Sequence, residues 1–92
     1  MPVGRISHSV TMRLHLAPED AHAIGRVTTA IGNQGGGVTA VDVLESTGEQ
    51  VVVDVSANAW DDEHAERIAV SVAEVEGVDV REVIDRTFQA HR

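Results

Sequence analysis

Residues 8 to 16, HSVTMRLHL, alternate without a break: Val10, Met12, Leu14 and Leu16 share one parity, and Ser9, Thr11, Arg13 and His15 the other. A period of two predicts a strand with one buried face. Pro18 ends it, and the acidic pair Glu19-Asp20 stands where a helix would begin, its charge favoured by the N-terminal dipole. From Ala21 to about Asn33 the period lengthens, with Ile24, Val27 and Ile31 recurring at helical spacing beside Ala23 and Ala30. Asn33 and Gly35 supply a stop, because both tolerate the left-handed conformation of a helix C-cap.

Two β-branched runs follow, GVTAVDVLES (37 to 46) and EQVVVDVSAN (49 to 58), and the Thr47-Gly48 link between them reads as a hairpin. Val51, Val53, Val55 and Ala57 fall on one face of the second run, Asp54 and Ser56 on the other. Asp61 is a natural N-cap for a second helix, whose buried stripe is Ala65, Ile68, Ala69, Val72 and Val75. Gly77 ends that helix, and residues 78 to 88 form a last strand. In it Val78 and Val80 hold one parity, Val83 the other and Ile84 the first again. This implies either a bulge near Arg81-Glu82 or burial on both faces.

The order β-α-β-β-α-β, closed by right-handed crossovers, predicts an α+β fold of the ferredoxin-like, split β-α-β kind. It is a four-stranded antiparallel sheet with both helices on one face. The other face, carrying Thr11, Arg13, His15, Asp54 and Ser56, is too polar for a core.

Composition narrows what such a domain could do. Ninety-two residues make one small domain with a thin core, which dimerisation would supplement. Fifteen acidic against seven basic residues, a net charge of −8, disfavour nucleic acid and anionic membranes as partners. With only Trp60 and Phe88 as aromatics, the sheet lacks the base-stacking platform of RNA-binding modules. The absence of cysteine removes disulfides, thiolate nucleophiles and thiolate metal sites. No spanning segment or signal peptide is apparent, so a cytoplasmic location is expected.

The stretch GNQGGG (32 to 37) invites a phosphate-binding reading, but direction excludes it. Phosphate loops follow a strand and open a helix, where backbone amides converge, whereas these glycines follow a helix and open a strand. Gly35 is expected to cap the helix, with Gly36 and Gly37 allowing a tight turn and a close backbone approach. His8, His15, His22, His64 and His91 show no paired ligand spacing, and His22 and His64 sit at helix starts where exposure is expected, so no metal site is assigned. Asp61, Asp62 and Glu63 read as an N-cap and first turn. No catalytic set assembles; a small ferredoxin-like enzyme would have to use Arg13, His15 and Asp54 on the open face.

The layout, LAPEDAHAIGRVTTAIGNQGG in the first loop and helix, and DDEHAERIAVSVAEVEGVDVREVIDRTF toward the end resemble an ACT domain, and specifically the one N-terminal to bacterial NAD-dependent malic enzymes. The similarity runs from about residue 8 to residue 88, leaving tails at 1 to 7 and 89 to 92. The resemblance implies a regulatory module that pairs with another copy as a homodimer or higher homo-oligomer and binds a small effector, often an amino acid. The effector would sit at the first loop, which places Glu19, Asp20, Ala21, His22, Ala23 and Ile24 as ligand-binding candidates. Gly25 is read as a helix-packing position.

Family members commonly carry Pro-Gly where this chain has Ala21-His22. His22 fills the space a glycine leaves, and Glu19 and Asp20 would favour an ammonium over a carboxylate. Two readings follow: an effector other than a simple amino acid, or a lost site with only the pairing role retained. NAD and a divalent metal would belong to a parent malic enzyme's catalytic domain; this chain is expected to hold no cofactor and no catalytic residue. In the look-alike enzymes an apolar, glycine-containing segment follows DRTF, whereas Gln89, Ala90, His91 and Arg92 follow here.

Overall fold

The computed structural model describes the backbone of residues 6–89 and the side chains of residues 8–84. Its elements are β1 (Ile6–Leu16), α1 (Ala23–Asn33), β2 (Gly37–Ser46), β3 (Val51–Ala59), α2 (Asp62–Ala73) and β4 (Val78–Gln89). The strands form one antiparallel sheet in the order β2-β3-β1-β4, with both helices packed on one face. This is the expected split β-α-β architecture. Phe88 and His91 lie outside the described side chains.

The alternation in β1 is realised as read: Val10, Met12, Leu14 and Leu16 are buried. They meet Val53, Val55 and Ala57 of β3, Ala23, Val27 and Ile31 of α1, and Ala65, Ile68 and Val72 of α2. This aliphatic cluster supplies the hydrophobic driving force, about 1.5–3 kcal/mol for each fully buried large side chain.

Five local readings are corrected or decided. Helix α1 starts at Ala23 rather than Ala21 and has no acidic residue in its first turn. The chain between β1 and α1 is spent on a tight turn, with Asp20 N–H bonded to the Ala17 carbonyl and the Asp20 carboxylate accepting from the His22 amide. The β2–β3 hairpin has four loop residues, not two. Its closure depends on the Thr47 hydroxyl, which accepts from the Glu49 and Gln50 amides, so β3 begins at Val51. Helix α2 ends at Ala73, and the chain reaches Gly77 through a further turn. In β4 the pairing with β1 slips between Arg13 and Leu14, leaving Arg81 as the extra residue. The bulge therefore returns Val83 to the helix side opposite Met12 and sends Ile84 to the open face opposite Thr11.

The glycine stretch ends α1 in a Schellman motif: Gly36 N–H reaches the Ile31 carbonyl and Gly35 N–H the Gly32 carbonyl. Gly35 adopts φ +82°, and a Cβ on Gly36 would stand 2.8 Å from Ile68 Cδ1 and 3.0 Å from Ile31 Cγ2. Gly37 does not share that constraint, since a Cβ there would meet nothing within 4 Å.

Candidate functional site

The six candidate residues of the first loop divide by environment. Glu19, Ala21 and His22 are exposed, Ala23 is fully buried in the core, and Ile24 is half-buried against it. Asp20 is half-buried and saturated: besides the His22 amide it accepts from Arg26 Nη2 at 2.6 Å and Nη1 at 3.4 Å. The same Arg26 Nη2 donates to the Glu76 carbonyl at 2.8 Å, and Arg26 Nε is buried without an acceptor among the described residues. Arg26 therefore ties the first loop to the turn between α2 and β4. The loop's field is not that of two bare carboxylates, because Asp20 is matched and Glu19 alone projects uncompensated charge.

Of the six, His22 borders a depression. It opens a shallow trough of about 480 Å³ that continues along the outer face of α1 past Gly25, Arg26, Thr29, Ala30 and Asn33. Gly25 is not a packing position within the protomer, since a Cβ there would meet nothing within 4 Å. It lies on an open helix face.

Arg26 and Gly77, which complete this corner, carry no signature in the sequence: Asp20 and Arg26 are six residues apart across a helix start. Gly77 sits at φ +82°, and a Cβ on it would come within 2.9 Å of Asp20 Oδ2 and 3.0 Å of Arg26 Nη2.

On the open sheet face, Arg13 and Asp54 stand directly opposite each other and form a two-point ion pair, Nε to Oδ1 at 2.9 Å and Nη2 to Oδ2 at 3.0 Å. Thr11 bonds to Ser56 at 2.8 Å and His15 Nδ1 to Gln50 Oε1 at 3.0 Å. Arg13 and Asp54 thus form a cross-strand pair, while His15 is tied to Gln50 of the hairpin loop, and the three do not make a convergent set.

The Arg26 hydrogen bonds hold the Asp20 carboxyl below its ordinary range against partial desolvation, and those of Arg13 do the same to Asp54. A carboxyl that titrates lower in the folded than in the unfolded state stabilises the fold above its ordinary value, 3.8 for both residues, and loses that contribution as pH falls through the folded value. Denaturant unfolding between about pH 5 and pH 2 should show a steepening loss of stability. Asp20→Asn or Asp54→Asn should flatten that loss, and an unchanged slope in both variants would refute the contribution.

His64 overturns its expected exposure. It is fully buried, with the Trp60 indole stacked on it at a centroid distance of 4.0 Å and an angle of 18°. Its Nδ1 faces the Trp60 backbone N–H at 2.9 Å and its Nε2 the Gln34 carbonyl at 2.5 Å. A backbone amide only donates, so Nδ1 is the acceptor and Nε2 carries the proton that Gln34 receives. The ring joins the C-cap of α1 to the start of α2, where Asp61 caps the helix by accepting from the His64 amide at 2.8 Å. His8 Nε2 donates to the Asp62 carboxylate across 2.6 Å, and His22 is exposed.

No family model matches the chain. Over 88 residues, 96% of its length, it is 30% identical to the NAD-dependent malic enzyme of Geobacillus stearothermophilus, and it spans 18% of that protein. It superposes with a TM-score of 0.63 on the ACT domain of the GTP pyrophosphokinase of Chlorobium tepidum, at 9% identity over 87% of this chain and 99% of that one. The fold is that of an ACT domain. The ACT-type arrangement is shared more distantly with the C-terminal domain of the MgtC protein from Mycobacterium tuberculosis, TM-score 0.58 at 8% identity over 100% of this chain and 97% of that one. A de novo designed protein also matches, TM-score 0.62 at 20% identity over 92% of this chain and 99% of that one. Among the described residues no helix is long and apolar enough to cross a membrane.

Proposed function

We propose that this chain is the regulatory ACT-type domain of an NAD-dependent malic enzyme, acting by self-association and by effector binding at the first loop. The observation that carries the reading is the coincidence of an ACT fold with a malic-enzyme alignment covering nearly the whole chain. Malate oxidation, NAD and a divalent metal belong on this reading to a catalytic part outside these residues.

The association half is supported by the β2 edge. All but one of its ten residues are exposed, and Val41, Val43 and Leu44 present apolar surface beside an edge that pairs with no further strand among the described residues. Both edge strands carry charges and register shifts, Asp79, Arg81 and Glu82 with one shift in β4 and Asp42 and Glu45 with two in β2, so what sets β2 apart is its exposed apolar residues. An isologous β2–β2 contact between two copies would satisfy the free backbone groups of both. Light scattering should therefore find a dimer or larger species. Val43→Lys should shift it toward monomer at little cost to the protomer, because Val43 is already 58% exposed. Retention of the oligomer in Val43→Lys, together with its loss in Gly25→Ala, would move the interface to the open face of α1.

The sensing half is tested by a thermal-shift panel of amino acids and central-carbon acids. A rise in melting temperature that is lost in His22→Ala supports the loop as the seat. No shift at millimolar concentrations leaves the second reading, a structural association module without ligand, which the saturation of Asp20 by Arg26 and the His22 amide favours.

A further inference from the structure

A second concavity lies away from the first loop, between α2 and β4. Along this side of α2 stand Ala65, buried in the core, Ala69, half-buried against it, and Ala73, exposed, and their short side chains leave the flank toward β4 unfilled. Across from them stand Val80 and Val83, the latter turned to this side by the bulge at Arg81, with Val10 of β1 at the base. The result is a trough of about 560 Å³ with Val70 on its outer lip, and Val70 and Val83 remain 51% and 46% exposed. Burial of those two side chains is left unfinished by the protomer itself.

Among the described residues the polar groups at this trough are both carboxylates, Asp62 and Glu66. Asp62 is engaged with His8. The partial positive charge of the α2 N-terminus is answered by the Asp61 cap and the first-turn acids Asp62 and Glu63. Glu66, one turn further along, is exposed and has no ion-pair partner among the described residues.

We propose that this trough binds a small amphipathic cation, an aliphatic body carrying an ammonium or guanidinium group, with the body against Val10, Val80 and Val83 and the charge beside Glu66. Volume and length select a small molecule: the space lies within the usual range of ligand pockets, and the alanine stripe is only about 12 Å long at 1.5 Å per residue, short for a docked helix of several turns. Charge selects the cation. A second copy seated here by two-fold symmetry would bring Glu66 and Asp62 toward their own equivalents, and the chain's net charge of −8 disfavours an anion. The site is independent of the first loop and of any association through β2.

The test is a titration of the chain with n-hexylammonium, n-hexanoate and hexan-1-ol, followed by valine-methyl NMR. Hexylammonium is expected to move the methyl signals of Val10, Val70, Val80 and Val83 selectively, and to bind about tenfold more tightly than hexanoate, attraction of the cation and repulsion of the anion by an exposed carboxylate together being worth about that factor. Glu66→Gln should erase most of that preference while leaving hexanol binding unchanged. Ala69→Leu, which fills the trough, should abolish the perturbations while the circular dichroism spectrum stays that of the parent. Equal binding of hexanoate and hexylammonium, perturbations spread over unrelated valines, or dilution-dependent changes in these methyls without any ligand would each overturn the proposal. The last would indicate that another copy covers the trough.

Discussion

Replacing His64 with alanine is expected to cost the fold about 3 kcal/mol, placing it among the most damaging single changes available in this chain. Two losses combine. The buried ring is replaced by a void beneath Trp60, and the Trp60 amide and the Gln34 carbonyl lose the partner of their part-buried hydrogen bonds. For a domain of this size that corresponds to a drop in melting temperature of roughly 15 °C, measured by circular dichroism. His64→Phe separates the contributions, since it keeps an aromatic ring of similar volume under the indole but forms neither hydrogen bond. It should still lose about 2 kcal/mol. A Phe variant as stable as the parent would mean that stacking and volume, not the two hydrogen bonds, hold the helices together.

Gly77→Ala is the second large expected effect, about 2 kcal/mol from a single methyl group. An L-residue at φ +82° is strained before any contact is counted. The added Cβ would then press on Asp20 Oδ2 and Arg26 Nη2, displacing the ion pair that closes the first loop onto the α2–β4 turn. The signature is therefore local as well as global: the denaturation midpoint falls, and amide hydrogen exchange accelerates across residues 17 to 24. A midpoint within experimental scatter of the parent would contradict the strain, and unchanged exchange in the loop would show that Arg26 holds it from elsewhere.

These two positions also mark where reading the sequence stops short. The alternation of residues 8 to 16 specifies the buried face of β1, because a strand buried on one face imposes a period of two, although the strand itself begins at Ile6. The parity break in β4 is visible in Val83 and Ile84, yet whether it means a bulge or two-sided burial depends on the register against Arg13 and Leu14, which only pairing reveals. His64 is read as exposed because a polar residue in the first turn of a helix usually is. Its burial comes from Trp60 folding over it and from the end of α1 arriving at Gln34, both tertiary events. The first loop is recognisable as a candidate, but its electrostatics are set by Arg26, a helix residue whose approach to Asp20 and the Glu76 carbonyl no local spacing encodes. The hairpin length is missed for a smaller reason: the Thr47 hydroxyl supplies loop hydrogen bonds that a two-residue turn would have drawn from the strands.

The Trp60–His64 stack has an optical consequence. Trp60 is the only tryptophan in a chain without tyrosine, so ultraviolet emission arises essentially from one indole. That indole is 71% exposed on one side and lies against the imidazole on the other, directly over the junction of α1 and α2. Emission thus samples this junction while far-ultraviolet ellipticity samples the whole backbone. Coincident transitions on heating would mark the junction as part of one cooperative unit, whereas a change in emission preceding the loss of ellipticity would identify it as the place where the molecule first comes apart.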